Sequence, residues 1–105
     1  MVAVNSMKIR AKLTGDMTEI KLIISHPMET GRKKDDFDQL IPAHFIQELV
    51  VKHNDKVVVS SNMGAGISKD PYFAFMLKGG QINDKITVSW HDNLGNADTE
   101  EHIIQ

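Results

Sequence analysis

The chain has 105 residues, a net charge of −2 and no cysteine, and 41% of its residues are hydrophobic. This length favours a single domain, which can bury a core without help from a metal or a disulfide. The net charge argues against a nucleic-acid-binding protein, which usually has a basic face. Without cysteine, the chain has no disulfide, no thiolate nucleophile and no thiolate metal ligand.

The sequence contains no recognisable membrane or export segment. No apolar run approaches the ~20 residues that a membrane-spanning helix needs. The first residues, Met1 to Met7, have neither a basic start nor an apolar stretch, so they do not look like a secretory signal. Taken alone, these features predict a cytoplasmic protein without a membrane contact.

Short runs of alternating apolar and polar residues, separated by turn residues, predict seven strands. In the first run, apolar residues alternate with Lys8, Arg10 and Lys12. Turn residues at Gly15-Asp16 and Asn54-Asp55 predict hairpins. The predicted strands are Lys8–Leu13, Thr18–Ser25, Phe45–His53, Lys56–Ser61, Tyr72–Leu77, Lys85–His91 and Asp98–Ile104.

Seven short strands at this spacing, with no convincing helix, predict an all-β fold. We expect an immunoglobulin-like β-sandwich of two antiparallel sheets, with a small barrel as the competing architecture. Residues 1–105 are expected to form one domain, and residues 1–6 are interpreted as a disordered extension of it.

Few side chains offer catalytic or metal-binding chemistry. The five histidines do not have a spacing typical of zinc or copper sites. For His26 and His44, each near a proline, we favour a hydrogen-bonding role, then a role at a partner contact, and last a metal site. No serine lies in a nucleophile elbow, and no phosphate-binding loop is present. The sequence therefore predicts a protein that is not an enzyme.

Some predicted strands are apolar on both faces. Tyr72, Ala74 and Met76 share one face of their strand, and three other apolar residues share the opposite face. In the third predicted strand, Ile46 and Leu49 point to opposite faces, so this strand is also apolar on both faces. A sandwich strand usually has one solvated face, so the second apolar face needs a cover. A partner protein or the chain's own loops could supply it, and we favour the partner.

Four segments hold an order of polar and apolar residues that strand formation does not explain. They are Ile24–Gly31, Leu40–Glu48, Ile67–Tyr72 and Val88–Gly95. In this order they resemble the Z subunit of the SoxYZ carrier complex, the SoxZ family of bacterial sulfur (thiosulfate) oxidation. One loop departs from the family pattern, because Met63–Gly66 stands where a Trp-Gly-Pro type of loop is expected.

The resemblance implies a non-catalytic subunit of a heterodimeric sulfur carrier, without cofactor or metal. In this family the SoxY partner carries sulfur intermediates on a cysteine of its C-terminal arm. The Z subunit stabilises SoxY and presents the arm to the other Sox pathway enzymes. The resemblance also implies a periplasmic location, reached by export with the signal of SoxY, and no contact with nucleic acid or membrane.

The expected partner contacts form three groups, and none of their residues is catalytic or binds a metal. The strand group rests on its apolar pattern, and the two loop groups rest mostly on the resemblance. The groups are Met28, Glu29, Thr30 and Gly31; Tyr72, Ala74 and Met76; and Met63, Gly64, Ala65, Gly66 and Ile67.

Two other hypotheses compete with the carrier subunit. The first is a self-associating immunoglobulin-like binding module unrelated to sulfur chemistry, since exposed sheet edges invite pairing. A homodimer of the isolated chain is also compatible with the carrier role. The second is an enzyme that acts on a sulfur compound directly, for which the sequence offers neither a nucleophile nor a metal site.

Overall fold

The computed structural model describes residues 6–105, and these residues form seven strands without a helix. Every strand boundary lies within one residue of its predicted position, because polar turn residues end each alternating run. The strands are β1 (Met7–Thr14), β2 (Met17–Ile24), β3 (Ile46–His53), β4 (Lys56–Asn62), β5 (Tyr72–Lys78), β6 (Lys85–Asp92) and β7 (Ala97–Ile103).

The strands pair antiparallel into two sheets, which confirms the predicted β-sandwich. The three-stranded sheet has the order β1-β2-β5, and the four-stranded sheet has the order β4-β3-β6-β7. On one side of the sandwich β1 contacts β7, and the Leu13 N–H donates a hydrogen bond of 2.8 Å to the Gln105 carbonyl. The strands β5 and β4 are therefore the outer strands of the opposite side.

The core lies between the sheets and is built from the inward residues of each strand. Ile20, Leu22 and Ile24 of β2 are buried, as the alternation predicts, and so are Val88 and Trp90 of β6. Burial of one such side chain stabilises the fold by about 1.5–3 kcal/mol. The inward-facing residues of the alternating strands therefore supply the hydrophobic stabilisation of the core.

One face differs from the strand pattern. Strict alternation puts Ile46 opposite Leu49, but both side chains are fully buried. The cause is a β-bulge between Ile46 and Glu48 in the pairing of β3 with β6. Gln47 is the extra residue, and it moves Ile46 to the core face. The amino-terminal part of β3 therefore has one apolar face, not two.

The predicted disordered extension falls almost entirely on residues 1–5, which lie outside the described residues. Ser6 is described, and it is held on both sides by hydrogen bonds. Its hydroxyl donates to Asp98 Oδ2 at 2.6 Å and accepts from Trp90 Nε1 at 3.2 Å. Across residues 6–105, no helix is long and apolar enough to cross a membrane.

Antiparallel pairing gathers the connections at two ends of the sandwich. One end has the short turns after β1 and β3 and the connection between β5 and β6. The other end has the longer connections, and we call it the loop end; it consists of residues 25–45, 63–71 and 93–96. Two of the three groups of expected contact residues lie at the loop end.

Candidate functional site

The loop end is held together by one buried carboxylate, that of Asp92 at the end of β6. Its Oδ1 accepts the backbone N–H groups of Leu94 at 3.0 Å and Asn96 at 2.8 Å. Its Oδ2 lies 3.0 Å from Nε2 of His26 and 2.7 Å from Nε2 of His44. Asp92 thereby joins both halves of the 25–45 connection to the four-stranded sheet.

Hydrogen bonding keeps Asp92 ionised. Burial would raise the pKa of its carboxyl group, but the hydrogen bonds from His26, Asn96 and His44 outweigh it. The pKa is therefore held well below its ordinary value of 3.8. A buried carboxylate with this many donors is a rigid anchor rather than a general base.

The backbone sets the tautomer of His26. Its Nδ1 accepts the Met28 N–H at 3.1 Å, so the proton of the neutral ring lies on Nε2, which faces Asp92. The ring packs edge-on against His44 and Trp90, with centroids 4.5 and 5.3 Å apart. This arrangement confirms the hydrogen-bonding role predicted for His26.

Within residues 6–105, the side chains of His26, His44 and Asp92 form a group that could hold a metal ion, since their ligand atoms lie within 4.8 Å of one another. Coordination through Nε2 of His26 would require the ring proton to move to Nδ1. That move would break the hydrogen bond from the Met28 amide. The geometry therefore favours a hydrogen-bonded anchor over a metal centre.

Asn93 continues the anchor one residue beyond Asp92. Its Nδ2 donates to the Ala43 carbonyl at 2.9 Å, and its Oδ1 accepts the Phe45 N–H at 2.8 Å. Together, Asp92 and Asn93 explain why the segments Leu40–Glu48 and Val88–Gly95 hold a fixed residue order. The two segments are hydrogen-bonding partners across the loop end.

The first predicted contact group lies at the loop end, but its members differ in exposure. The Met28 side chain is buried, and its sulfur accepts the Ile46 N–H at 3.4 Å. Glu29 and Thr30 are half-buried, and Glu29 forms an isolated antiparallel bridge with His44. Met28 therefore supports the loop from inside, while Thr30 reaches the surface.

The glycine loop of the third group lies beside the first group. Thr30, Arg32, Ala65 and Gly66 line a depression of about 160 Å³. The side chains of two other members, Met63 and Ile67, pack against the core. Gly64 and Gly66 are exposed. The structure thus brings two of the three predicted groups together at one surface.

Gly31 fits the backbone of this surface. It has a φ of +82°, and an added Cβ would lie 3.1 Å from Cβ of Ala43. A side chain at this position would be strained by both the backbone conformation and the close neighbour. The glycine lets the two halves of the 25–45 connection approach closely.

The strand group points outward, as predicted. Tyr72 is 57% exposed and Met76 is 56% exposed, whereas Phe73, Phe75 and Leu77 pack against the core. Because β5 begins at the loop end, Tyr72 lies close to the loops. Met76 lies about 13 Å further along the strand. The exposed apolar face is therefore continuous with the loop end at Tyr72.

Solved structures share this fold at low sequence identity. Superoxide reductase (neelaredoxin) from Ignicoccus hospitalis has a TM-score of 0.58 and 17% identity, over 96% of this chain and 81% of that chain. A variant of superoxide reductase (neelaredoxin) from Archaeoglobus fulgidus, in the reduced form, has a TM-score of 0.57 and 21% identity, over 97% and 86%. At such identities the likeness shows the shared fold alone.

The family is shown by a sequence model rather than by individual relatives. No curated protein sequence is significantly similar to this chain. The family model described as "Sulphur oxidation protein SoxZ" matches residues 7–102. All four segments that carry the resemblance lie within this range. The chain therefore belongs to the SoxZ family and is a subunit of the sulfur-oxidising Sox system.

Proposed function

We propose that this chain is the non-catalytic subunit of a heterodimeric sulfur carrier. It binds a SoxY subunit and presents the C-terminal arm of SoxY, whose cysteine carries covalent sulfur intermediates during thiosulfate oxidation. Membership in the SoxZ family supports the role in sulfur oxidation. The observation that carries the binding role is the exposed apolar face of β5.

The apolar face extends beyond β5. Ile23 of β2 is 43% exposed and lies opposite Tyr72 in the pairing of β2 with β5. Ile23, Tyr72 and Met76 therefore expose large apolar side chains on the same side of one sheet. Exposed apolar patches mark interaction sites, and tyrosine and methionine are enriched at the centre of protein interfaces. A partner protein would cover this surface.

The chemistry of the loop end supports a role without catalysis. The His26 side chain is only 2% exposed and the Asp92 side chain is fully buried. Their polar atoms are engaged with each other and with backbone amides, so a substrate could not reach them without opening the loops. The chain also has no cysteine to carry a sulfur intermediate. In the proposed complex, SoxY supplies that group.

The proposed role includes a location and further partners. We propose that the protein works in the periplasm and is exported together with SoxY. The other Sox pathway enzymes would meet this subunit through the complex. Finding the chain in a periplasmic fraction only when SoxY is co-expressed would support the location. Its presence there without SoxY would contradict co-export.

Light scattering on a sizing column tests the binding role. We expect the chain and SoxY to form a one-to-one complex that replaces any self-associated species. Met76→Glu should weaken the complex about 100-fold, because it places a charge in an apolar contact. Thr99→Glu, on an exposed position of β7, is the matched control and should leave binding unchanged.

Three results would contradict the proposal. A chain whose mass is unchanged by SoxY would overturn the binding role. Turnover of thiosulfate by the chain alone would overturn the non-catalytic role. A homodimer that persists in the presence of SoxY would favour the self-associating module, since β4 and β5 are the outer strands on one side of the sandwich.

A further inference from the structure

The outward side of the three-stranded sheet is strongly basic, although the chain as a whole has a net charge of −2. We call this surface the basic face; it is the outward side of β1, β2 and β5. Register and exposure place on it five cationic side chains and one carboxylate. They are Lys8, Arg10, Lys12, Lys21 and Lys78, with Glu19.

The charges on the basic face repel one another. Arg10 of β1 pairs directly with Lys21 of β2, and like charges opposite each other destabilise a sheet. Lys8 and Lys12 flank Arg10 on the same strand, each about 7 Å away. Glu19 lies 3.4 Å from Lys21 and pairs directly with Lys12, but it is the single carboxylate among the described residues of this face, against five cations. An arrangement that weakens the isolated fold points to a function.

The outward side of the four-stranded sheet has no such excess of positive charge. There, Lys52 and Lys85 are balanced by Glu48 and Glu101. Lys85 Nζ lies 3.8 Å from Glu101 Oε1, so part of the balance is a direct contact. Charge segregation is therefore a property of the basic face and not of both sheets.

Cations and apolar groups meet in one depression on the basic face. Lys8, Arg10 and Lys21 line it together with Ile23 and Tyr72, and its volume is about 270 Å³. Ile23 and Tyr72 offer apolar contact, while the three cations lie beside them. A complementary surface would have an apolar side chain next to several carboxylates.

We propose that the partner subunit docks on the basic face through a surface with carboxylates facing β1 and apolar side chains facing β5. This inference rests on the proposed function, since it names the face and the charge of the same partner. The net charge of −2 and a pI of about 6.2 are atypical of nucleic-acid-binding domains, whose pI usually exceeds ~9. Protein interfaces combine apolar and charged areas. On this face the apolar side chains lie along β5 and most of the cations lie along β1, with β2 between them.

An acidic partner would also be steered towards the basic face. Opposite charges on two surfaces raise the association rate by a factor of roughly 10 to 1,000 at low salt, and salt screens the effect. The dissociation rate depends more on the apolar contact around Tyr72 and Met76. The two contributions can therefore be separated by kinetics.

The test is a stopped-flow measurement of association with SoxY, from about 20 mM to about 500 mM NaCl. We expect Lys8→Glu/Arg10→Glu to slow association at least ~10-fold at low salt, with the difference shrinking at high salt. Lys52→Glu/Lys56→Glu changes the net charge equally on the other sheet and should have little effect. Replacing Arg10 by glutamate puts opposite charges at the cross-strand pair with Lys21, so the test variant should fold.

The outcomes separate the two proposals. If SoxY binds but both double variants behave like the wild type, the cations of the basic face do not guide docking, so this inference fails while the proposed binding of SoxY stands. If the wild type forms no complex, the proposed function and this inference both fail. Binding to single-stranded RNA or phosphatidylserine vesicles that is tighter than binding to SoxY, and is lost in Lys8→Glu/Arg10→Glu, would also overturn the inference.

Discussion

At the scale of single residues, Asp92 contributes most to the shape of the loop end. Burying a carboxylate is costly unless hydrogen bonds compensate, and here two backbone amides and two imidazoles do so. The geometry of this end is thus tied to one charge. Any contact that Thr30 and the glycine loop make with a partner depends on it.

Asp92→Asn should destabilise the protein by about 3 kcal/mol at neutral pH. The new amide cannot accept every hydrogen bond that the carboxylate accepts, and it places a donor against another donor. Urea unfolding measures the loss. Asp84→Asn is the control at the other end of the sandwich, where the carboxylate contacts His53 at 2.8 Å but is partly exposed. A loss no larger than in the control would contradict the anchoring role.

The low pKa of Asp92 also predicts how stability depends on acid. Because the folded-state pKa is depressed, the stabilisation is complete above the unfolded value, near 3.8. It is lost progressively as the pH falls from there through the folded value. Unfolding free energy measured from about pH 5 to about pH 2 should therefore fall more steeply in the wild type than in Asp92→Asn. Equal slopes would show that the contacts of Asp92 do not lower its pKa in the folded protein.

Part of this anchor is predictable from the sequence. The segments around His26 and His44, each with a nearby proline, predict hydrogen-bonding roles for both side chains. Asp92 is not predictable in this way, because it is 66 and 48 positions away from them in the chain. Residue spacing can detect a site only when its side chains come from one strand or one loop. His26, His44 and Asp92 come from three segments that are far apart in the chain. The fixed order in Val88–Gly95 was the available signal.

At the scale of elements, all seven strands could be predicted because a half-buried strand alternates with a period of two residues. The prediction failed at Gln47, since one inserted residue in a bulge reverses the face of Ile46 without changing the composition of the strand. The turns predict the hairpin pairs β1–β2 and β3–β4, which the structure confirms, but the pairing of strands far apart in the chain could not be predicted. β5 pairs with β2 although β3 and β4 lie between them in the sequence, and no turn or local pattern predicts that pairing.

The connection between β5 and β6 allows a matched test of backbone fit. Gly79 and Gly80 both have a positive φ, near 90°. A Cβ on Gly79 would meet open space, whereas a Cβ on Gly80 would overlap the buried Thr18 hydroxyl. That hydroxyl already donates to the Gly79 carbonyl at 2.7 Å, so it is not free to move away.

Gly79→Ala should therefore cost about 1–2 kcal/mol from backbone strain alone. Gly80→Ala should cost roughly 3 kcal/mol or more, because the strain is joined by overlap with a fixed side chain. Thermal and urea unfolding of the two variants measure the difference. Equal losses would mean that the fit against Thr18 does not matter to the fold.

At the scale of the whole molecule, the sandwich has one face whose exposed apolar side chains and neighbouring cations do not stabilise the isolated chain. The net charge of −2 does not reveal this face, because the acidic residues other than Glu19 lie elsewhere. The sequence showed the cations of β1 and the apolar residues of β5 separately. Only the pairing order β1-β2-β5 puts them on one surface. A surface that is both apolar and repulsive is best explained by a bound partner.

In the proposed complex, the partner covers the three-stranded sheet. Because the chain has no cysteine, one thiol can be introduced, and its alkylation by iodoacetamide can be followed by mass spectrometry of this chain with and without SoxY. Met76→Cys reports on the basic face, and Thr99→Cys reports on the exposed side of the four-stranded sheet. We predict that SoxY slows alkylation at position 76 and leaves alkylation at position 99 unchanged. Slower alkylation at position 99 with no change at position 76 would contradict docking on the basic face.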